Sequence, residues 1–293
     1  MHTIDLGFLQ QDSAIASYLV ETEEGPILFE TGPHSTFPKL KASVEAAGYQ
    51  IQEIKHVFLT HIHLDHAGAA WAFAKEGAKI YVHPFGARHL ISPEKLMSSA
   101  KRIYQDKMDM LWGQMNPIPE EQVVIVEDKT EFKIGNKTIK GWHTPGHAVH
   151  HIAYQMEKIL ISGDVAGVKI AGGIVVPPCP PPDINIEDWQ ASINLIRGLD
   201  IEEIYLTHFG KITNIEAHLN ELEKRLLGWA NWIKPHFDQQ HEIKDILPLF
   251  SAFAAQELRD NGVSEADIKK YDAANPAWMS VAGLMRYWKK KMS

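Results

Sequence analysis

Four side chains able to bind a metal fall within six positions: His61, His63, Asp65 and His66, in the pattern His-x-His-x-Asp-His. The hexamer follows the apolar run Val57-Phe58-Leu59 and contains no Lys or Arg to balance it. Imidazole and carboxylate together suit a divalent transition metal. Six residues cannot wrap one ion with all four groups. His61, His63 and Asp65 alternate while His66 sits one step further, which points to two neighbouring metals, each needing ligands from elsewhere in the chain.

Further candidates lie at the ends of short apolar runs. Ile139 to Trp142 leads into His143-Thr144-Pro145-Gly146-His147; Ile159 to Gly163 ends in Asp164; Ile204 to Thr207 ends in His208. A residue just past a buried strand is held by a rigid scaffold without being buried unpaired.

These motifs, in this order, resemble the metallo-β-lactamase superfamily over roughly residues 1 to 212. The resemblance implies that His61, His63 and His147 hold one metal, that Asp65, His66 and His208 hold a second, and that Asp164 bridges them. A carboxylate can span metals about 3.5–4 Å apart. It also implies two divalent ions, zinc first, with iron or manganese as other choices. Such a pair lowers the pKa of a shared water, giving a bridging hydroxide that attacks a small ester, thioester or lactone. Asp164 would hold the pair and Asp65 would relay a proton to the leaving group.

Departures narrow the branch. Gly163-Asp164 argues against true β-lactamases, which generally lack the bridging carboxylate, and His63 argues against oxygen-reducing flavodiiron relatives, which carry Glu there. Gly167 stands where homoserine-lactone lactonases often carry Tyr. The ligand set is shared with glyoxalase II, but no basic glutathione-binding residues are evident. The other readings are an iron-dependent, sulfur-dioxygenase-like redox enzyme, a phosphoester hydrolase and a non-catalytic, metal-stabilised binding protein. The family usually has Asp-Thr-Gly after the first hairpin; this chain has Glu30-Thr31-Gly32, with an acceptor one methylene longer. His151 is a candidate support for the ligands, whereas His143 and His150 read as ordinary loop histidines, and His34, His56, His83 and His89 as background.

The elements that must position these groups alternate between strand and helix. A hairpin spans Ala16–Val20 and Pro26–Glu30. Helices are expected over 39–47 and 68–76, and a strand over 79–82. Residues 85–120 form a Met-rich insertion that serves as core, substrate lid or dimer surface. Strands follow over 123–126, 130–132, 137–142 and 152–155. Five prolines surround Cys179 between residues 177 and 182, a stiff loop expected to wall the site. No paired base marks Cys179 as a nucleophile. A helix covers 187–197, and four more, over 215–233, 247–258, 265–271 and 277–290, follow His208, with Pro235 ending the first.

The fold expected is α+β, a four-layer αββα sandwich, with residues 1–212 as the catalytic domain and 213–293 as an α-helical extension. Its 293 residues are 45% hydrophobic, enough for a sizeable core. The net charge of −8 and pI near 6.0 argue against a nucleic-acid partner. With one cysteine, no leader pattern in Met1–Asp5 and no run long enough to span a bilayer, the expectation is a cytoplasmic protein acting on a small molecule, away from the membrane.

Overall fold

The computed structural model describes residues 1–293. Twelve strands form two six-stranded sheets. The first runs in chain order through β1 (His2–Asp5), β2 (Ala16–Thr22), β3 (Gly25–Phe29), β4 (His56–Phe58), β5 (Lys79–Val82) and β6 (Val123–Ile125). Its first three strands pair antiparallel; the rest pair parallel. The second sheet holds β7 (Glu131–Ile134), β8 (Lys137–His143), β9 (Ile152–Met156), β10 (Ile159–Ile161), β11 (Glu203–Leu206) and β12 (Gly210–Ile212) in adjacent order, parallel only between β10 and β11.

The two-residue period of a strand divides these side chains between separate cores. On β2, Tyr18 and Val20 face the space between the sheets, while Leu19 faces outward. The inner core is aromatic. Phe29 and Phe58 from the first sheet stack at 5.1 Å, and Tyr154 from the second meets them at 5.8 and 5.3 Å. Fully burying each such ring contributes roughly 1.5–3 kcal/mol.

Helices close both outer faces. Over the first sheet lie α1 (Phe37–Ala46), α2 (Leu64–Ala67), α3 (Ala70–Lys75), α4 (Pro84–Ile91), α5 (Glu94–Tyr104) and α6 (Met108–Leu111), with Leu40, Phe73 and Leu90 fully buried among strand residues. Over the second lie α7 (Ile186–Arg197), α8 (Ile215–Asp238), α9 (Ile243–Asp260), α10 (Glu265–Ala274) and α11 (Ala277–Lys291). This is the expected αββα sandwich with a helical C-terminal extension. One buried cluster joins Leu160 and Ile204 of the sheet to Trp189, Leu226, Phe250 and Leu284, so the late helices share their core with the second sheet.

Some boundaries differ from expectation. β1 and β12 are strands too short to show a pattern. Helix α8 continues past Pro235 to Asp238, because the Pro235 carbonyl still accepts the Gln239 N–H at 3.1 Å. Helix α9 likewise begins at Ile243 and carries Pro248 in its second turn, at the cost of one intrahelical hydrogen bond. No helix is long and apolar enough to cross a membrane.

Candidate metal centre

All the predicted ligand positions converge at one edge of the sandwich, in segments that follow strands β4, β8, β10 and β11. His61 and His63 lie in the turn after β4, while Asp65 and His66 fall in the first turn of α2. That change from loop to helix within the hexamer sends its ligands to two sides.

Three groups each keep their ligand atoms within 4.8 Å of one another: His61 with His63 and His147; His61 with His66 and Asp164; Asp65 with His66 and His208. In the first, His63 Nδ1 stands 2.9 Å from His61 Nε2 and 3.0 Å from His147 Nε2. Ligand nitrogens around a tetrahedral zinc at 2.0–2.1 Å are separated by about 3.3 Å. The carboxylate of Asp164 lies between the groups. Its Oδ2 is 3.3 Å from His147 Nε2, and its Oδ1 is 3.3 Å from His66 Nε2 and 3.4 Å from His208 Nε2. Asp65 Oδ2 is 3.5 Å from His208 Nε2.

Three of these converging atoms, His66 Nε2, His208 Nε2 and Asp164 Oδ1, are buried without a hydrogen-bond partner. Leaving such atoms unsatisfied costs roughly 1–3 kcal/mol each. A cation among them would remove that cost, so the donor set fits a divalent metal.

Four of the five far nitrogens are tied down. His61 Nδ1 meets Thr60 Oγ1 at 3.0 Å, His147 Nδ1 donates to the Pro178 carbonyl at 2.9 Å, and His208 Nδ1 donates to the Ala14 carbonyl at 2.7 Å. Such partners fix the tautomer and aim the other nitrogen inward. Glu30 fills the fourth place despite its extra methylene. Fully buried, it receives the Thr60 N–H on Oε1 at 2.6 Å and holds His66 Nδ1 with Oε2. Its φ of 63° is rare for a side-chain-bearing residue.

His151, buried, also supports the site. Its Nε2 accepts the Asp164 N–H at 3.2 Å and its Nδ1 meets Thr144 Oγ1 at 2.8 Å. Gly163 makes this approach possible: with φ of 54°, a Cβ there would stand 2.4 Å from Thr60 Oγ1 and 2.7 Å from His151 Nε2. His150 is less ordinary than its loop position suggests, since it is buried and stacks on His61 at 6.1 Å. The carbonyls of Ala14 and Pro178 carry no side-chain signal and could not be found from sequence.

Electrostatics divide the site in two. Burial holds His61 well below the usual imidazole range and brings His63 down to about 3, with neighbouring imidazoles adding to both. Burial opposes charge on His66 as well, but Asp164, Asp65 and Glu30 outweigh it and raise His66 well above its ordinary value. Burial likewise opposes ionisation of Asp164, yet His66, His208 and His147 hold its pKa well below the carboxylate range. One half thus presents neutral nitrogens; in the other, carboxylates and imidazoles hold one another in their charged forms.

A cavity of about 800 Å³ opens over this cluster. His63, Asp65, His147 and Asp164 form its floor. Its walls come from Phe8, from α5 and α6 of the Met-rich insertion, from Pro178 and Pro180–Pro182, and from the α10–α11 junction. The insertion is therefore cavity wall, with Met108 and Met115 also serving as core. The proline loop lies where expected, but Cys179 within it is fully buried, absent from the cavity lining, and its thiol is pushed up by burial.

The family model of the metallo-beta-lactamase superfamily matches residues 11–208, and the chain belongs to that superfamily. A metallo-beta-lactamase fold-containing protein of Sulfurisphaera tokodaii is 25% identical over 228 residues, covering 76% of this chain and 84% of that protein. An atrochrysone carboxyl ACP thioesterase of Aspergillus fumigatus is 24% identical over 208 residues, covering 70% of this chain but 54% of that protein. The crystal structure of a metallo-beta-lactamase family protein of Thermus thermophilus superposes with a TM-score of 0.63 at 20% identity, covering 95% of this chain and 89% of that one. At that identity the likeness speaks for the fold.

Proposed function

We propose that this superfamily member is a dinuclear metallohydrolase of a small carboxylic ester, thioester or lactone. The observation carrying this reading is the position of Asp164, whose Oδ2 faces His147 while Oδ1 faces His66 and His208. One carboxylate addressing two donor groups is what a shared pair of cations requires. His61, His63 and His147 would hold one ion, and Asp65, His66 and His208 the other. Divalent ions there would acidify a water towards neutral pH and polarise an acyl oxygen.

The chain's own residues do the rest. Asp164 fixes the spacing, backed by His151 at its N–H. Asp65, partly open to the cavity, is placed to accept the proton released by attack and pass it to the leaving group. Glu30 and the carbonyls of Ala14 and Pro178 keep the imidazoles aimed. Acyl chemistry is favoured over phosphoryl chemistry because the cavity wall carries large aromatic and aliphatic side chains such as Phe8, Leu96, Trp112 and Trp278, with Lys107 and Lys269 its only lysines and no arginine. The similarity to a thioesterase supports the same class.

The test is turnover of a panel of aryl esters, acyl thioesters, lactones and phosphomonoesters by zinc- and by iron-loaded protein. The reading expects acyl substrates to turn over and Asp164→Ala to lose activity by roughly a hundredfold or more, as expected when a metal-holding group is removed. Phosphoester hydrolysis alone, or activity indifferent to Asp164→Ala, would contradict it.

A further inference from the structure

We propose that Tyr104, at the last turn of α5, is the hydrogen-bond donor that orients the acyl group of the substrate over the metal floor; this rests on the acyl-hydrolase reading above. Its ring lines the same cavity as His63, Asp65, His147 and Asp164. Two indoles grip it edge-on, Trp112 at 5.1 Å and Trp278 at 5.8 Å, so the ring has little freedom to turn. Phe8 extends the wall by stacking on Trp112 at 5.6 Å.

Within the protein the hydroxyl has only a weak partner. Its one partner is the thioether of Met279, 3.7 Å away, and a thioether is a weak acceptor. A phenol in a half-buried wall with so poor a partner holds its donor capacity in reserve for whatever enters. Burial, with the charge of Asp65 adding to it, raises the phenol above its ordinary pKa and keeps it a neutral donor at all working pH values. Leu96, Ala100, Ile103 and Met279 supply apolar surface to the same wall, which also carries Ser99 and Gln105. Tyr104 is one of a small number of polar groups in this wall, with Ser99, Gln105 and Asn275, and it is the one held rigid between two indoles, the kind of group that sets ligand orientation in a pocket.

Tyr104→Phe keeps the ring and removes only the hydroxyl. With zinc-loaded protein, calorimetric titration with phenylbutyrate, a product-like carboxylate, is expected to show roughly three- to tenfold weaker binding in the variant, the worth of one hydrogen bond. The KM for nitrophenyl butyrate should rise by a similar factor. Metal content, melting temperature and affinity for azide, an anion too small to fill the cavity, should match wild type. Phenylbutyrate binding and KM within twofold of wild type would overturn the assignment while leaving the acyl-hydrolase reading intact. Loss of metal or of azide binding in the variant would also overturn it, by making Tyr104 a structural support. A wild-type protein that neither binds phenylbutyrate nor hydrolyses the ester would overturn both.

Discussion

Glu30 and His66 form a fully buried pair in which one carboxylate oxygen holds the imidazole Nδ1 while the other receives the Thr60 N–H. One side chain thereby locks the ligand of α2 to the turn carrying His61. Two donors need two acceptors here, and an amide has only one carbonyl oxygen. Glu30→Gln is therefore expected to weaken metal binding by roughly 10–100-fold, chiefly at the group containing His66. Competitive titration with a chromophoric chelator measures this. An unchanged affinity would show that His66 needs no such anchor.

Gly163 tests the crowding around Asp164. Gly163→Ala would drive a methyl group into Thr60 and His151 from a backbone at φ 54°. Overpacking of this kind costs roughly 1–3 kcal/mol, so a clear drop in melting temperature is expected, together with reduced metal content because Asp164 must shift. Wild-type values for both would contradict the close approach.

Chelation should destabilise the fold. His66 Nε2, His208 Nε2 and Asp164 Oδ1 have no hydrogen-bond partner, and a ligand present at a hundred times its Kd adds about 2.7 kcal/mol. Calorimetry is expected to show a melting temperature several degrees lower after exhaustive chelation, restored by adding zinc. A melting temperature insensitive to chelation would show that the cluster is stable without an ion.

Cys179 should be inert. It is fully buried, its Sγ lies 3.6 Å from the Pro177 carbonyl, and burial raises its thiol pKa. Intact mass after treatment with iodoacetamide should show no label on native protein and one label after denaturation. Rapid native labelling with loss of turnover would reopen a nucleophilic role.

The hexamer, His147, Asp164 and His208 were legible because their residue types are costly to cluster for any other purpose and because each follows an apolar strand. The sandwich was legible only through family likeness, since alternating strands and helices alone specify no layer order. The residues that aim the ligands were harder to read. Glu30 departs from the usual aspartate, and only the observed backbone shows how its longer arm reaches both Thr60 and His66. The carbonyls of Ala14 and Pro178 have no residue-type signature at all. The cavity was foreshadowed by the Met-rich insertion and the proline loop, but its wall joins Tyr104 to Trp278 across 174 positions of sequence, a pairing that periodicity cannot supply. Helix α8 outran its expected end because a proline near a helix C-terminus loses one hydrogen bond while its own carbonyl continues the ladder.

The central claim is that Asp164 joins two cations, and metal content tests it most directly. Elemental analysis of protein reconstituted with zinc and passed through a desalting column should give about two ions per chain for wild type, and fewer than about one for Asp164→Ala, as a shared bridging carboxylate requires. About one ion per chain, unchanged by Asp164→Ala, would contradict the bridged pair and turn attention to single-metal chemistry at His61, His63 and His147.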